Sequence, residues 1–189
     1  MKKAISIGIQ GFSDLREQDC FFVDKTNFIK EWWGKRDVVT LITRPRRFGK
    51  TLNMSMLDCF FSNKYANRAD LFEGLSIWQD ETYRKLQGTY PVIFLSFAAV
   101  KAGNLEDAKT QIKQEITRLY WENRNLMKED IFGEDERELY YRTTVKMDDV
   151  TAQDSLRNLS VWMERYYGKK VIILLDEYDT PMQEAYVQG

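Results

Sequence analysis

An α/β fold with a mostly parallel sheet follows from three observations. Three apolar runs, Val38–Ile42, Val92–Phe97 and Val171–Leu175, have the length and side-chain content of buried strands. Helical patterns separate them, the order expected of parallel strands with helices on both faces. The first and third runs each stop at a chemically loaded loop, Arg44–Thr51 and Asp176–Asp179. Open α/β sheets present their ligand sites at such strand ends.

Length and composition bound the rest. At 189 residues the chain reads as one domain, 1–189, long enough to bury a sizeable core. Lys and Arg number 28 against 29 Asp and Glu, so any basic site must be local. There is no histidine, which excludes His-ligated zinc, Ser-His-Asp triads and Cys-His pairs. Cys20 and Cys59 lack C-x-x-C spacing and sit among apolar residues, the pattern of reduced, buried thiols. Val171–Leu175, the longest aliphatic run, is far too short to span a membrane. The start has neither the apolar length nor the cleavage site of a signal peptide. A cytoplasmic protein with no membrane partner is expected.

Taken in order, residues 1–19 are a loosely organised entry broken by Gly8, Gly11 and Ser13-Asp14. Cys20–Val23 reads as a short buried strand or apolar turn. A helix from about Asn27 to Trp33 is expected to stop before Gly34. After the first strand, Lys50 to about Phe61 forms a helix with Leu52, Met56 and Phe60 on one face and Asn53, Leu57 and Phe61 beside them. Residues 62–70 are a polar break, and Leu71–Leu86 suggests short helical pieces. Gly88–Pro91 turns the chain into the second strand. Asn104 caps a helix running from about Leu105 to Met127. The charged stretch 128–152 is expected to be exposed and mobile. A helix from about Ala152 to Tyr167 leads through Gly168 to the third strand.

The first loop has the layout of a phosphate site. A strand, a short loop and then Gly49-Lys50-Thr51 opening a helix follow the order of G-x-x-x-x-G-K-[ST]. Loop and first-turn amides point at an anion there, and the helix dipole favours negative charge. Lys50 supplies a point charge toward the β- and γ-phosphates, and the Thr51 hydroxyl is a ligand for Mg²⁺. Pro45, Arg46, Arg47, Phe48 and Leu52 complete the candidate nucleotide-binding set. The motif's first glycine falls on Arg44, and the following proline biases that residue toward extended geometry. On its own the loop also reads as a basic surface turn.

The second constellation supplies a metal partner. An apolar strand closing in Asp176-Glu177 suits an Asp that holds Mg²⁺ and a Glu that polarises the attacking water. It also reads as the point where a buried strand meets solvent. Asp179 is expected to cap the turn before Pro181.

Four separated segments carry a resemblance: FVDKT (Phe22–Thr26), TRPRRFGKTLNMSML (Thr43–Leu57), YPVIFLSF (Tyr90–Phe97) and LLDEYDTP (Leu174–Pro181). Together, over about residues 5–187, they resemble the bacterial AAA-ATPase-like proteins, in which RPRRFGK[ST] is itself the P-loop. The resemblance implies a P-loop NTPase three-layer sandwich that binds ATP and Mg²⁺. Lys50 and Glu177 would be catalytic, and Thr51 and Asp176 would be the metal ligands. It puts Phe22–Asp24 near the adenine, with core packing as the alternative. Relatives continue into a C-terminal PD-(D/E)XK nuclease-like domain, through which nucleic acid would be reached, and self-association is a further expectation. The strand that usually lies between the P-loop and Walker B strands would follow residue 189. The core is therefore expected to be truncated, as a fragment or a shortened reading frame, with a gap or exposed edge between Val38–Ile42 and Val171–Leu175. The function expected is an ATP-binding domain, hydrolytic when complete. The alternatives are a DNA phosphate-binding module gripping through Arg44, Arg46, Arg47 and Lys50, or a nucleotide-gated scaffold without hydrolysis.

Overall fold

The computed structural model describes residues 3–5, 8–43 and 48–181. The chain divides into two compact units, Met1–Val92 and Ile93–Gly189. In the first unit, three helices carry the core: α1 (Phe12–Glu17), α2 (Asn27–Lys35) and α3 (Lys50–Phe61). Three short 3-10 turns follow α3, at Asn63–Tyr65, Ala69–Phe72 and Ser76–Gln79, and then α4 (Glu81–Leu86). Ser76–Gln79 and Glu81–Leu86 are the short helical pieces that Leu71–Leu86 suggests, while Asn63–Tyr65 forms a turn inside the expected polar break.

Helix α3 runs over the predicted residues and buries Met56, Leu57, Cys59, Phe60 and Phe61, while Leu52 stays half-buried. Its C-terminal aromatics organise the unit. Phe60 packs edge-on to Phe72 at 5.1 Å, and Phe72 stacks on Phe12 of α1 at 5.2 Å. Phe61 stacks on Trp33 of α2 at 4.9 Å, and Trp33 meets Tyr90 at 5.1 Å. Each such side chain removed from water contributes roughly 1.5–3 kcal/mol before the entropy of ordering it is counted. The α3 backbone is fixed by direct pairing as well. Gly88 N–H donates to the Phe60 carbonyl (2.8 Å), Tyr90 N–H to Phe61 (2.9 Å), and Asn63 N–H back to Tyr90 (2.8 Å).

Helix α2 continues through Gly34 to Lys35 and ends on Arg36 in the left-handed region (φ 54°). Gly34 is therefore an exposed helical residue and not the stop the sequence suggests. Cys20–Val23 forms no strand, although Phe21 N–H donates to the Ala4 carbonyl at 2.7 Å. Cys20 is buried while Phe21 and Val23 are exposed.

The largest correction concerns the first predicted strand. Val38–Thr43 is irregular, and Val38 is 99% exposed, Val39 84% and Leu41 63%. A β-branched apolar run becomes a strand only where a neighbour supplies the ladder. Among the described residues no strand pairs with it. The gap expected beside this strand thus gives way to an unformed strand.

The second unit holds the sheet. β1 (Val92–Ser96) and β2 (Ile172–Asp176) lie side by side and parallel, joined through α5 (Leu105–Glu122), α6 (Glu134–Arg142) and α7 (Asp149–Tyr167). The fold is α/β with a small two-stranded parallel sheet among the described residues. Ile173 and Leu175 are 44% and 40% exposed, so β2 is covered on one face and open on the other.

Asn104 caps α5 as expected, its side-chain oxygen accepting from Asp107 N–H at 2.8 Å. The helix stops at Glu122, and a 3-10 turn (Arg124–Lys128) carries the chain past Met127. Helix α7 starts three residues before the predicted Ala152, because Asp148 accepts from Thr151 N–H at 2.7 Å.

The charged stretch 128–152 is ordered, contrary to expectation. Phe132, Tyr140 and Met147 enter the core formed with Ile116, Tyr120, Leu159 and Trp162. The Arg137 guanidinium donates to the carbonyls of Met127, Glu129 and Phe132. Glu136 holds Arg165 at 2.8 Å and the Trp162 indole at 3.2 Å. The Arg165 guanidinium is the main reason the Glu136 carboxyl lies below the usual carboxylate range.

Gly88 tests the α3 docking. Its φ is +68°, and an added Cβ would lie 2.4 Å from Ala66 Cα. Gly88→Ala should lower stability by about 2–4 kcal/mol, since positive φ and a backbone clash add. Gly74→Ala, at φ +78° in open space, should cost only about 1 kcal/mol. Urea midpoints of the two variants measure the difference.

Candidate functional site

The first candidate group is at the start of α3. Gly49 precedes it in the left-handed region (φ 73°, ψ 28°), a conformation that costs a residue with Cβ roughly 1 kcal/mol or more. The first helical bond runs from Asn53 N–H to the Gly49 carbonyl at 3.0 Å. Helix geometry leaves the amides of Lys50, Thr51 and Leu52 without an intrahelical acceptor. Gly49 offers no side chain to cap them, and the first turn has no acidic residue. Instead it carries Lys50, a cation at the positive end of the helix dipole. Lys50, Thr51 and Leu52 are half-buried and Phe48 is 60% exposed. Pro45, Arg46 and Arg47 lie outside the described residues. An anion suits this end on every count: donors, dipole and lysine all favour negative charge.

The second candidate group is at the end of β2. Asp176 is its last residue and is 5% exposed, and its carbonyl accepts from Phe97 N–H at 3.0 Å, which ties the strand end to the residue after β1. Glu177 follows, exposed and in the left-handed region (φ 53°). Its carbonyl accepts from Thr180 N–H and its Oε2 from the Thr180 hydroxyl, both at 3.1 Å. The sequence suggests Asp179 as the cap of this turn; these two bonds come from Glu177. The structure thus brings Gly49–Leu52 together on one helix turn and Asp176–Thr180 on one strand end, each within its own unit. Among the described residues no group of three or more Cys, Asp or Glu side chains is placed to hold a metal ion. A magnesium held by one carboxylate, a hydroxyl and phosphate oxygens needs no such group.

Phe22–Asp24 takes a structural role, in line with the packing alternative to an adenine contact. Phe22 meets the Phe12 ring edge-on at 5.5 Å. Asp24 Oδ1 accepts from Thr26 N–H (2.9 Å) and hydroxyl (2.7 Å), and Oδ2 from Ser76 N–H (2.7 Å) and hydroxyl (2.6 Å). The Thr26 hydroxyl in turn accepts from Ile77 N–H at 3.1 Å. Partial burial works against the charged carboxylate, but the Ser76 and Thr26 bonds outweigh it and hold its pKa at about 2. Cys20 and Cys59 are both buried free thiols, and burial, with Asp58 beside it, pushes Cys59 up to about 11. Both fit the inert role expected of them.

A family model described as "Predicted AAA-ATPase" matches residues 6–189, and the chain belongs to this AAA-ATPase-like family. A protein of Azotobacter chroococcum mcd 1, described as an uncharacterized protein in the vnfD 5' region, is 26% identical over 182 residues. The match covers 96% of this chain and 30% of that relative, so the chain spans about a third of its length. No solved structure matches the chain significantly. Among the described residues no helix is long and apolar enough to cross a membrane.

Two outcomes follow from these geometries. Lys50→Gln should raise the stability of the ligand-free protein by about 0.3–1 kcal/mol, because it removes a cation from the positive end of α3. A thermal melt at low salt measures it, and added salt should shrink the gain. Asp24→Asn should lower stability by about 1–2 kcal/mol at neutral pH, a figure discounted for the solvent exposure of the carboxylate. Since the folded pKa of about 2 lies below the unfolded value near 3.9, that contribution is fully present above about pH 4. It is lost as pH falls toward 2, so the urea midpoints of wild type and variant should converge there.

Proposed function

We propose that residues 1–189 are the nucleotide-binding part of a Mg²⁺-dependent ATPase. The observation that carries this reading is the start of α3: a left-handed glycine, first-turn amides without an intrahelical acceptor and a lysine, with no side-chain cap and no acid in the first turn. Without an anion that turn is electrostatically unfavourable; with a triphosphate it is complementary. Membership of the AAA-ATPase-like family supports a nucleotide as the anion. In the wider form of the reading, the chain contributes to a P-loop three-layer sandwich.

Each residue then has a task. The amides of Phe48–Leu52 and the Lys50 ammonium take the phosphates, with Pro45, Arg46 and Arg47 forming the approach. The Thr51 hydroxyl and the Asp176 carboxylate hold Mg²⁺, which when bound neutralises charge on the β- and γ-phosphate oxygens. Glu177 accepts a hydrogen bond from the attacking water and aims its lone pair at the γ-phosphorus.

MgATP titration of the full-length protein tests the reading. Lys50→Ala should weaken MgATP binding at least tenfold, about 1.4 kcal/mol. Glu177→Gln should leave binding within a few-fold while turnover falls roughly 100-fold or more. Unchanged MgATP affinity in Lys50→Ala removes the phosphate assignment. Salt-sensitive DNA binding that MgATP does not compete away would replace it with the nucleic-acid alternative.

A further inference from the structure

We propose that Thr180 is a positioning residue for the Glu177 carboxylate, an inference that rests on the ATPase reading above. Three observations at the end of β2 carry it. First, the base is fixed, because Asp176 is buried and its carbonyl is bound by Phe97 N–H at 3.0 Å. The turn therefore begins from a held point. Second, Glu177 stands in the left-handed region at φ 53°. That conformation is unfavourable for a non-glycine residue and persists where surrounding structure enforces it. Third, the same residue closes the turn twice. Thr180 N–H reaches the Glu177 carbonyl, and the Thr180 hydroxyl reaches Glu177 Oε2, both at 3.1 Å.

An exposed glutamate ordinarily samples several rotamers, and immobilising such a side chain costs conformational entropy. An ionised carboxylate only accepts hydrogen bonds, so the single hydroxyl proton of Thr180 must point at Oε2. The bond selects one orientation and leaves Oε1 to accept from a water molecule. A water-aligning carboxylate works best when its geometry is set before the substrate arrives. Thr180 supplies that setting without touching nucleotide or water.

A threonine at this position also helps to form the turn, and the experiment separates the two roles. Thr180→Val keeps the β-branched shape and the backbone N–H that binds the Glu177 carbonyl, and loses only the hydroxyl. Thr180→Ser keeps the hydroxyl. Steady-state MgATP hydrolysis by the full-length protein is measured for wild type, both variants, Thr180→Ala and Glu177→Gln, with MgATP affinity and thermal midpoint as checks on folding. The expected result is a kcat reduced about tenfold or more in Thr180→Val and Thr180→Ala with KM within twofold, and a kcat in Thr180→Ser within about threefold of wild type. A wild-type kcat in Thr180→Val beside an inactive Glu177→Gln overturns the positioning role and leaves the ATPase reading intact. An equal loss in the serine and valine variants also overturns it, since the hydroxyl is then not the active feature. A wild-type protein without turnover, or an undiminished Glu177→Gln, overturns the catalytic reading and this inference with it.

Discussion

The direction of α3 is set at its far end, by a contact that only glycine allows. Gly88 approaches Ala66 so closely that a Cβ would meet backbone at 2.4 Å, and at that distance its N–H reaches the Phe60 carbonyl. Tyr90 and Asn63 extend the pairing by two further bonds. Around this backbone join, Phe60, Phe61, Phe72, Trp33 and Tyr90 interlock as an aromatic chain. A helix anchored by its C-terminal turn holds its N-terminal amides in a fixed direction. The orientation of Gly49–Leu52 thus depends on packing about ten residues away, since each helical residue advances only about 1.5 Å and the rod between is stiff.

The two ends of α3 differ in what they tolerate. At the C-terminal end the carbonyls of Asp58, Phe60 and Phe61 accept from Ser62, Gly88 and Tyr90, and the aromatic rings leave little freedom. The N-terminal end has no side-chain cap and no acid in the first turn, and it carries a lysine. Stability alone would favour serine or aspartate before the helix and an acid within it. A position that breaks a local rule while its surroundings obey it is where function is expected to reside.

Much of this was legible in sequence, though unevenly. Helix α3 was readable from the spacing of Met56, Leu57, Phe60 and Phe61, and α5 from the Asn104 cap, because periodicity and capping are local signals. The order within 128–152 was not readable. There, widely spaced anchors at Phe132, Tyr140 and Met147 enter the core, and Arg137 ties three carbonyls. No short-range period encodes such contacts. The Asp24 clamp was hidden for the same reason, since its partner Ser76 lies 52 residues away. The candidate site was legible as residue types, from Lys50 and Thr51 to Asp176 and Glu177. Two conformational facts were not: the left-handed backbone of Glu177 and the hydroxyl bond that occupies one of its oxygens.

The run Val38–Thr43 shows why strand content is the hardest property to read from a single segment. Its composition matches that of β2, and both were assigned as buried strands. β2 forms because β1 lies beside it and α7 leads the chain directly into it through Gly168. Val38 and Val39, almost wholly exposed, have no such neighbour among the described residues. A helix satisfies its backbone within itself, whereas a strand is completed by another strand. The same composition therefore yields a strand in one place and open chain in the other. An apolar run left open in this way is an element without its partner strand, which is why its composition alone misleads.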